Sequence, residues 1–438
     1  MECVHAVEEN ARRAGAGERG GDFGADIAGF ADADDDNFAT PTEGFADGGD
    51  GGIERLVELS ADGFQRGEFD VEHFPSFGQM THAVRMSRAA RQFNAERDDA
   101  GRRGAPPLPF RRVTTDTQIL MALRAAENGG VSGAELSQRL GITRAAIWAR
   151  IEELRRLGYD IEASPVLGYR LISTPDVLHA DDLLARLGKT KVIGRDIRVF
   201  EQTTSTNDVV EKLARDGVKE GVVVFAESQT KGRGRLGRVW TSPARKGLWF
   251  SVLLRPDLRP QETTQLTVAA ATAVWRAINA ETGLRPEIKW PNDILIEGKK
   301  VVGILTELSA EVDRVKHITL GIGVSVNVAA SDFPAELRKM ATSLRLESGK
   351  PIERAALATA ILRELDRDYA RICSGKFPEL ADEWEERCAT IGKQVVVGIG
   401  ERKIRGRAES LDEDGALLLR TEHGRLERII GGDVTLDK

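Results

Sequence analysis

The sequence predicts an α+β protein with three folded parts in series: a small helical module, a mixed α/β domain and a short β-rich tail. Residues 116–157 place apolar side chains at helical spacing, whereas residues 177–388 alternate apolar β-type runs with two long helical patterns. After residue 388 the chain carries short apolar runs separated by turns rich in Gly and Asp. The length of 438 residues fits this division, because a domain averages roughly 150 residues.

Composition excludes the fibrous and membrane classes. The chain is 41% hydrophobic and 30% charged, and it has no apolar run of the roughly 18 residues that a membrane-spanning helix needs. Its three cysteines, Cys3, Cys373 and Cys388, form no CxxC pair, which favours a reducing compartment over secretion. The first residues also lack the basic stretch and apolar core of a signal peptide. We therefore expect a cytoplasmic protein without membrane contact.

Residues 1–112 differ from the rest of the chain and predict a disordered acidic segment. Residues 1–110 hold 22 acidic residues, 11 arginines and no lysine, so the net charge of −7 for the whole chain leaves +4 for residues 111–438. They show neither helical nor strand periodicity. Ten of the 15 phenylalanines lie here, which favours a start codon assigned too far upstream. A genuine acidic tail that repels nucleic acid or binds a basic partner is the alternative.

Residues 113–176 predict a winged helix-turn-helix. Ser132 and Glu135 form a capping box for the middle helix, and after a Gly turn Thr143 can cap the next helix, whose outer face is basic. A two-stranded hairpin over 159–171 forms the wing. In this motif the second helix of the helix-turn-helix enters the major groove of DNA. The residues expected to contact DNA are Thr143, Arg144, Trp148 and Arg150.

A small helical packing module is the alternative for this segment, because it is only weakly basic. Residues 111–175 hold 9 arginines against 7 acidic residues. Few phosphate contacts imply modest affinity for DNA per monomer, and a dimer that reads two half-sites would restore it. The order of capped helix, turn, basic helix and hairpin favours DNA binding.

Residues 177–388 predict a mixed sheet with helices packed on it. Helical patterns cover residues 265–278 and 352–372. The β-type runs are residues 221–226, 248–254, 301–308 and 318–328.

A glycine-rich basic segment, Lys231 to Arg238, lies between the first two of these runs and is called here the cationic loop. Its glycines let the backbone approach a ligand closely, and its lysine and three arginines imply that this ligand is an anion. Three of the glycines fit a GxGxxG dinucleotide fingerprint, but that motif needs a helix starting on its glycines, and residues 239–243 are β-like. A mobile loop that closes over phosphate is the better interpretation.

Six short motifs carry the functional signal of the central domain. They are Ser205-Thr206-Asn207, Gln229, the cationic loop with Trp240, Lys289 to Asp293, Lys300 with Gly303, and Gly321 to Gly323 with Asn327. In this order they resemble the biotin-protein ligases, and the resemblance covers about residues 113–436. With the winged helix in front, the chain is similar to the bifunctional bacterial form that also represses the biotin operon. The resemblance implies a class II synthetase-like ligase domain over 177–388.

The resemblance also implies a two-step reaction. The biotin carboxylate attacks the α-phosphate of ATP to give biotinyl-adenylate, and a lysine of a biotin carboxyl carrier protein then attacks the adenylate. The reacting anions repel each other, so cationic donors lower the barrier. Operator DNA, Mg²⁺ and a homodimer formed when the adenylate is bound are further expectations.

The same resemblance assigns roles to individual residues. The catalytic residues are Lys300, Arg233 and Arg235. Those expected to contact biotin are Ser205, Thr206, Asn207, Gln229, Gly232, Arg233, Gly234, Arg235, Lys300 and Gly303. Those expected to contact ATP are Arg235, Arg238, Trp240, Lys289, Asn292 and Asn327. Asn292 and Asp293 are the candidates for holding Mg²⁺.

Several of these residues have a purely structural alternative. Lys300 follows a hairpin turn, where a lysine is usually solvated. Ser205 to Asn207 can cap the helix that follows them. Trp240 and Trp290 either stack on the adenine or belong to the core.

Residues 389–438 predict five short strands that form a small SH3-like barrel. Its structural role is to pack on the central domain, and the resemblance adds help in recognising ATP and the carrier protein. A separate loop over 329–342 carries Phe333, Pro334 and Leu337. If this loop orders over the adenylate near a dimer edge, it links adenylate formation to dimerisation and DNA binding.

Two functional alternatives are open on the sequence. One is a biotin ligase whose DNA-binding module is non-functional. The other is lipoate ligation, which the sheet architecture permits but which the arginine-rich loop and the Lys289 to Asp293 motif disfavour.

Overall fold

The fold was analysed in a computed structural model that describes residues 113–126, 129–311 and 314–436. The expectation for residues 1–112 lies outside these ranges. Elements are numbered along the described chain.

The first module has three helices and a hairpin, as predicted. Its elements are α1 (Thr115–Ala125), α2 (Gly133–Leu140), α3 (Arg144–Arg156), β1 (Asp160–Ser164) and β2 (Gly168–Ser173). The two predicted caps are present. Ser132 Oγ accepts a hydrogen bond from the Glu135 N–H at 3.0 Å, and Thr143 Oγ1 accepts one from the Ala146 N–H at 3.2 Å. These bonds satisfy amides that a helix start leaves unpaired.

The winged helix has a hydrophobic core of its own. Leu123, Leu136, Ile147 and Ile151 are fully or almost fully buried and form one cluster, separate from the core of the following domain. Ala185 in the next helix packs against its edge.

The central domain surrounds a seven-stranded sheet in the order β3-β4-β5-β9-β8-β7-β6. Its strands are β3 (Asp196–Thr203), β4 (Val222–Gln229), β5 (Leu248–Leu254), β6 (Glu287–Lys289), β7 (Asp293–Ile296), β8 (Lys299–Ala310) and β9 (Val315–Val324). Its helices are α4 (Ala180–Leu187), α5 (Thr206–Arg215), α6 (Thr264–Thr282), α7 (Leu344–Ser348), α8 (Arg354–Cys373) and α9 (Phe377–Glu385). β3 and β4 are parallel, and the other neighbouring strands are antiparallel.

β4 is covered on both faces, which explains its unbroken apolar sequence. Val223 and Phe225 belong to the main core with α6 and α8. Val222 and Val224 belong to a second cluster, which contains Val210 of α5. The sheet is therefore a layer between helices, and the loops at its strand ends are free to build a site.

The structure differs from the sequence expectation at the end of β9 and at the sheet edge. The run expected to continue to residue 328 ends at Val324, because the following backbone leaves β9 to bond Val301 and Lys246. β3 was not expected, since it is an edge strand whose last residues are exposed and lack an apolar alternation.

The tail forms a five-stranded antiparallel sheet in the order β13-β12-β11-β10-β14. Its strands are β10 (Gln394–Ile399), β11 (Arg402–Leu411), β12 (Leu417–Thr421), β13 (Leu426–Ile429) and β14 (Asp433–Leu436). Val395 and Leu417 belong to the same buried cluster as Phe377 and Trp384 of α9. The tail and the central domain therefore share one core. Of the helices described, none has the length and apolar character needed to cross a membrane.

Replacement of Ile151 by alanine should destabilise the winged helix selectively. Ile151 is fully buried in the separate core, so the lost burial and the cavity should cost about 2–5 kcal/mol. Urea unfolding followed by circular dichroism should show an early transition for the module. The matched control, Ile172→Ala on the wing, removes a side chain that is 49% exposed and should change stability by less than about 0.5 kcal/mol. Equal losses would contradict the separate core.

Candidate functional site

The cationic loop leaves the end of β4 and returns to the start of β5. The Gly234 N–H donates to the Arg238 carbonyl at 2.7 Å, which closes a tight turn around the exposed Leu236. Leu236 and Gly237 both have positive φ angles, 56° and 71°, and glycine adopts that conformation without strain. The turn therefore carries Arg235 and Arg238 on either side of its tip.

Arg233 is held by two carboxylates. Its guanidinium donates to both oxygens of Glu307 at 2.8 Å and to Asp208 at 2.5 Å. The hydrogen bonds to Glu307 raise the pKa of Arg233 above its usual value. Burial opposes ionisation of Asp208, but hydrogen bonds from Arg233 and Thr204 hold the pKa of Asp208 below its usual value. The loop is thus fastened to α5 and β8.

Arg238 and Arg235 both reach the tail. Arg238 forms an ion pair with Asp433 at the start of β14, and this hydrogen bonding raises the pKa of Arg238. Arg235 donates to the Asn292 side-chain oxygen at 3.1 Å and to the Gly432 carbonyl at 3.4 Å. Unlike the other two loop arginines, Arg235 forms no ion pair within 4.0 Å among the described residues, and burial lowers its pKa. It is therefore a half-buried cation without a carboxylate within 4.0 Å among the described residues.

Lys300 lies at the start of β8, beside the same segment. Its ammonium is 2.6 Å from Asp293 Oδ1 and 5.3 Å from the centre of the Trp240 ring. Its backbone N–H donates to Met340 at 2.8 Å, and its carbonyl accepts from Thr342 at 2.9 Å. The loop over 329–342 therefore contacts Lys300, and Arg235 and Lys300 meet at the consecutive residues Asn292 and Asp293.

A buried chain of neutral polar groups lies beside the cationic loop. Gln229 accepts a hydrogen bond from the Thr206 N–H at 2.9 Å, and the Thr206 hydroxyl lies 2.7 Å from the Ser251 hydroxyl. Ser251 donates to Asn207 at 2.5 Å, and Asn207 donates to Glu307 at 2.7 Å. These groups connect the predicted biotin residues to the carboxylate that holds Arg233.

The start of α5 corrects the capping alternative. α5 begins at Thr206, with Ser205 in the N-cap position, but the Ser205 side chain makes no capping bond. The Thr206 N–H, left free by the helix start, donates to the Gln229 side chain instead. Ser205 is buried and is not used as a cap.

Trp240 lies flat against the bare backbone of two paired glycines. A Cβ added to Gly323 would lie 2.5 Å from the indole nitrogen, and one added to Gly303 would lie 2.8 Å from the ring. Gly303 therefore faces Trp240, whereas the expectation was that it faces the ligand. The indole N–H is buried without a hydrogen-bond partner in the described chain, which makes it a donor available to a bound acceptor. Trp290 belongs to the hydrophobic core. Of the two alternatives for this residue, stacking on adenine or packing in the core, the structure shows the core.

One expected ligand contact is engaged elsewhere, and another ends a strand. The Asn327 side chain donates to the Ile352 carbonyl at 2.9 Å and accepts from the Ile352 N–H at 3.0 Å, so its amide is used to join two loops. Lys289 ends β6, where it pairs with Asp293 in the strand register.

Asn292 and Asp293 do not fit a magnesium site made by the protein alone. The Asn292 oxygen accepts from Arg235, and the Asp293 carboxylate faces the ammonium of Lys300. Cationic side chains therefore already contact both Asn292 and Asp293. The described residues contain no cluster of three or more His, Cys, Asp or Glu side chains that could hold a metal.

The expected DNA-contacting residues fall into two groups. Arg144 and Trp148 are exposed on α3, Trp148 by 58%. Arg150 was expected to be available, but its guanidinium forms an ion pair with Asp116 of α1. Thr143 caps α3. Arg150 therefore holds α3 against α1.

Sequence reasoning missed Ser251, Glu307 and Asp433. A serine within the apolar run of β5 and a glutamate within that of β8 were detectable signals, since neither residue type is common at such positions. Asp433 follows a Gly-Gly turn and carries no local signal, because its role depends on a partner 195 residues away.

Family models match three consecutive parts of the chain. The helix-turn-helix (HTH) domain matches residues 116–170, the biotin/lipoate A/B protein ligase family matches 199–325, and the biotin protein ligase C-terminal domain matches 390–437. Bifunctional ligase/repressor BirA of Bacillus subtilis (strain 168) is 40% identical over 325 residues, which are 74% of this chain and 99% of the relative. This chain belongs to the bifunctional biotin ligase/repressor family.

A second curated relative and a solved structure are also similar to this chain. BirA of Escherichia coli (strain K12) is 30% identical over 306 residues, covering 70% of this chain and 92% of that protein. A solved biotin protein ligase from Aquifex aeolicus, in complex with biotin and ATP, is 32% identical and covers 55% of this chain and 98% of its own, with a TM-score of 0.48. The ligase/repressor family thus accounts for the winged helix, the ligase sheet and the tail in one chain.

Gly323→Ala should displace Trp240 from the sheet. The new methyl group would lie 2.5 Å from the indole nitrogen, so the ring must shift, at a cost of about 1–3 kcal/mol. Urea unfolding measures the stability loss, and acrylamide quenching measures the increased tryptophan exposure. The control is Gly398→Ala in β10, where the nearest atom is 3.8 Å from the added Cβ. Unchanged quenching in Gly323→Ala would contradict this contact.

Proposed function

We propose that this chain is an ATP-dependent biotin-protein ligase that makes biotinyl-5′-AMP and transfers biotin to a lysine of a biotin carboxyl carrier protein. One observation carries the proposal. Arg235 and Lys300 come from different segments and converge on Asn292 and Asp293, and Arg235 is a half-buried cation that forms no ion pair among the described residues. Such a site suits two anions that must approach each other.

The first step forms a bond between a biotin carboxylate oxygen and the α-phosphorus of ATP, and pyrophosphate leaves. In the second step the neutral amine of the carrier lysine attacks the biotinyl carbonyl, AMP leaves with the bonding electron pair, and the new amide nitrogen releases one proton to water. Lys300 and Arg235 stabilise the charge that develops between carboxylate and phosphate, and Arg233 adds a third cation from the same loop.

The neutral polar chain is the proposed slot for the ureido ring of biotin. Ser205, Thr206, Asn207 and Gln229 are wholly or largely buried and offer directional donors and acceptors. Gly234, where an added Cβ would have no atom nearer than 3.7 Å, lets the loop backbone lie close to the ligand. Gly232 was expected to do the same, but it makes room for the Trp240 carbonyl, which lies 2.4 Å from such a Cβ. Gly303 contributes indirectly, because it makes room for the Trp240 ring.

On the nucleotide side we assign Arg235, Arg238 and Trp240 as direct contacts. The unpaired indole N–H and the exposed guanidinium of Arg238 support this assignment. Lys289, Asn292 and Asn327 position the surrounding segments. Mg²⁺ is expected to arrive with the ATP phosphates, with few protein ligands.

Ligand binding exchanges ion pairs. Arg233 and Arg238 are paired with Glu307, Asp208 and Asp433 in the structure. A carboxylate or phosphate that replaces these partners keeps each arginine neutralised. The displaced carboxylates are 36–46% exposed and become solvated.

We assign residues 113–176 to a DNA-binding repressor domain, 177–388 to the ligase and 389–438 to an SH3-like domain. The exposed Arg144 and Trp148 support DNA contact, and an adenylate-bound homodimer would read two operator half-sites. The five-stranded antiparallel tail sheet supports the SH3-like assignment.

Pyrophosphate release tests the proposed reaction. The purified chain should release pyrophosphate from ATP with biotin and not with lipoate, and it should biotinylate an added carrier domain. Release with lipoate instead would favour the lipoate alternative.

Lys300→Ala should lower the rate of biotinyl-adenylate formation by about 10²–10³-fold, because it removes a charge that stabilises the transition state. Single-turnover measurement with labelled ATP gives this rate directly. Lys299→Ala is the matched control, since the neighbouring side chain is exposed, and its rate should stay within about twofold of the original. An unchanged adenylate yield in Lys300→Ala would refute the assignment.

Arg144→Ala should weaken DNA binding by about 1–3 kcal/mol while adenylate formation is unchanged. Fluorescence anisotropy with a duplex from upstream of biotin synthesis genes measures the affinity. Arg156→Ala on the same helix, which removes an exposed pair with Glu153, should have little effect. Parallel loss of both activities in Arg144→Ala would contradict the division into two domains.

A further inference from the structure

Arg354, the first residue of α8, has a fully buried side chain that contacts three separate segments. It donates to the Glu227 carboxylate at 2.5 and 3.2 Å and to the Gly247 carbonyl at 3.3 Å. It also donates to the Asp176 side chain at 2.9 Å and to the Asp176 carbonyl at 2.8 Å. Glu227 in turn accepts from the Leu178 N–H at 2.7 Å.

Two of these segments are the legs of the cationic loop. Glu227 lies on β4, two residues before Gln229, and Gly247 lies immediately before β5. The Arg245 N–H donates to the Glu227 carbonyl at 3.1 Å and joins the two legs. Arg354 therefore fixes the base of the loop that is proposed to close over the adenylate.

The third segment is the connection between the winged helix and the ligase. Asp176 and Leu178 lie between β2 and α4. A cavity of about 580 Å³ opens beside this connection and is lined by its residues 174–178 and by Arg354. The bonds to Arg354 and Glu227, together with the burial of Leu178 in the main core, fix the position of the connection.

Other contacts of the winged helix end on α4. Thr114 and Thr117 of the module donate to Asp181 at 2.6 Å, and Arg124 pairs with Asp182. They fasten the module to the ligase but do not involve the legs of the cationic loop. Among the contacts described here, the Arg354 network joins the module to those legs directly.

The ion pair at this junction suits a residue that holds its neighbouring segments in fixed positions. Desolvation of a buried ion pair is costly, and a hydrophobic pair of similar volume would often stabilise such a site equally well. The guanidinium instead fixes the directions of five hydrogen bonds to three segments.

We propose that Arg354 is a positioning residue that couples occupancy of the ligase site to DNA binding by the winged helix. The inference rests on the proposed ligase and repressor function. Closure of the loop over biotinyl-adenylate shifts its legs, and Arg354 transmits this shift to the connection at Asp176. Because coupling is reciprocal, DNA binding changes the affinity for the adenylate by the same factor.

The experiment measures the coupling ratio, defined as the DNA dissociation constant without biotin and ATP divided by that with both. The probe is a duplex selected by the wild-type chain from a random-sequence pool. Asp176→Ala removes the 64% exposed partner and leaves Glu227 to neutralise Arg354, so the chain should fold. We expect the wild-type ratio to lie at about 5–150, and we expect Asp176→Ala to reduce it by about threefold or more.

Two readouts separate positioning from general damage. In Asp176→Ala the DNA affinity without ligands and the kcat for ligation should stay within about twofold of wild type, and Asp176→Glu should restore the ratio. The matched control is Glu353→Gln, which removes the neighbouring pair with Arg186 on α4 and should leave the ratio unchanged.

A double variant, Glu227→Gln with Arg354→Met, removes both buried charges together and retains an acceptor for the Leu178 N–H. Its ratio should approach 1. If it fails to fold, Asp176→Ala decides the question. A wild-type ratio retained in Asp176→Ala, or in the folded double variant, overturns the inference. A wild-type chain that releases no pyrophosphate with biotin refutes the proposed function instead.

Discussion

The carboxylates that neutralise the cationic loop and Lys300 determine the architecture of the site. Arg233 pairs with carboxylates from α5 and β8, Arg238 pairs with one from β14, and Lys300 pairs with Asp293. Each partner belongs to a different element, so the position of the loop depends on both the central sheet and the tail. Arg235 has only neutral partners, and this imbalance defines where an anion is most strongly attracted.

The polar slot follows a different principle from the loop. Every member of the chain from Gln229 to Asn207 already has a hydrogen-bond partner within the protein. A ligand that enters must offer equally good donors and acceptors, because buried polar groups left unpaired cost about 1–3 kcal/mol each. In the proposed function, the arginines attract the substrates and the neutral groups discriminate between them.

Periodicity was sufficient to predict the winged helix, the tail strands and the main helices, since each buries one face along a continuous segment. The caps at Ser132 and Thr143 were predictable for the same reason, because their partners lie three residues away. The pairs of Arg150 with Asp116 and Arg238 with Asp433 were not, because their partners are distant in sequence. Asn327 shows the same limit: a motif identified the residue, but its two bonds to Ile352 became evident only in the fold.

The winged helix and the tail sheet differ in how they are joined to the central domain. The winged helix buries its apolar residues within itself, whereas the tail sheet completes the same core as α9. Removal of the first module would therefore uncover little of the main core. Loss of the tail would open that core to water.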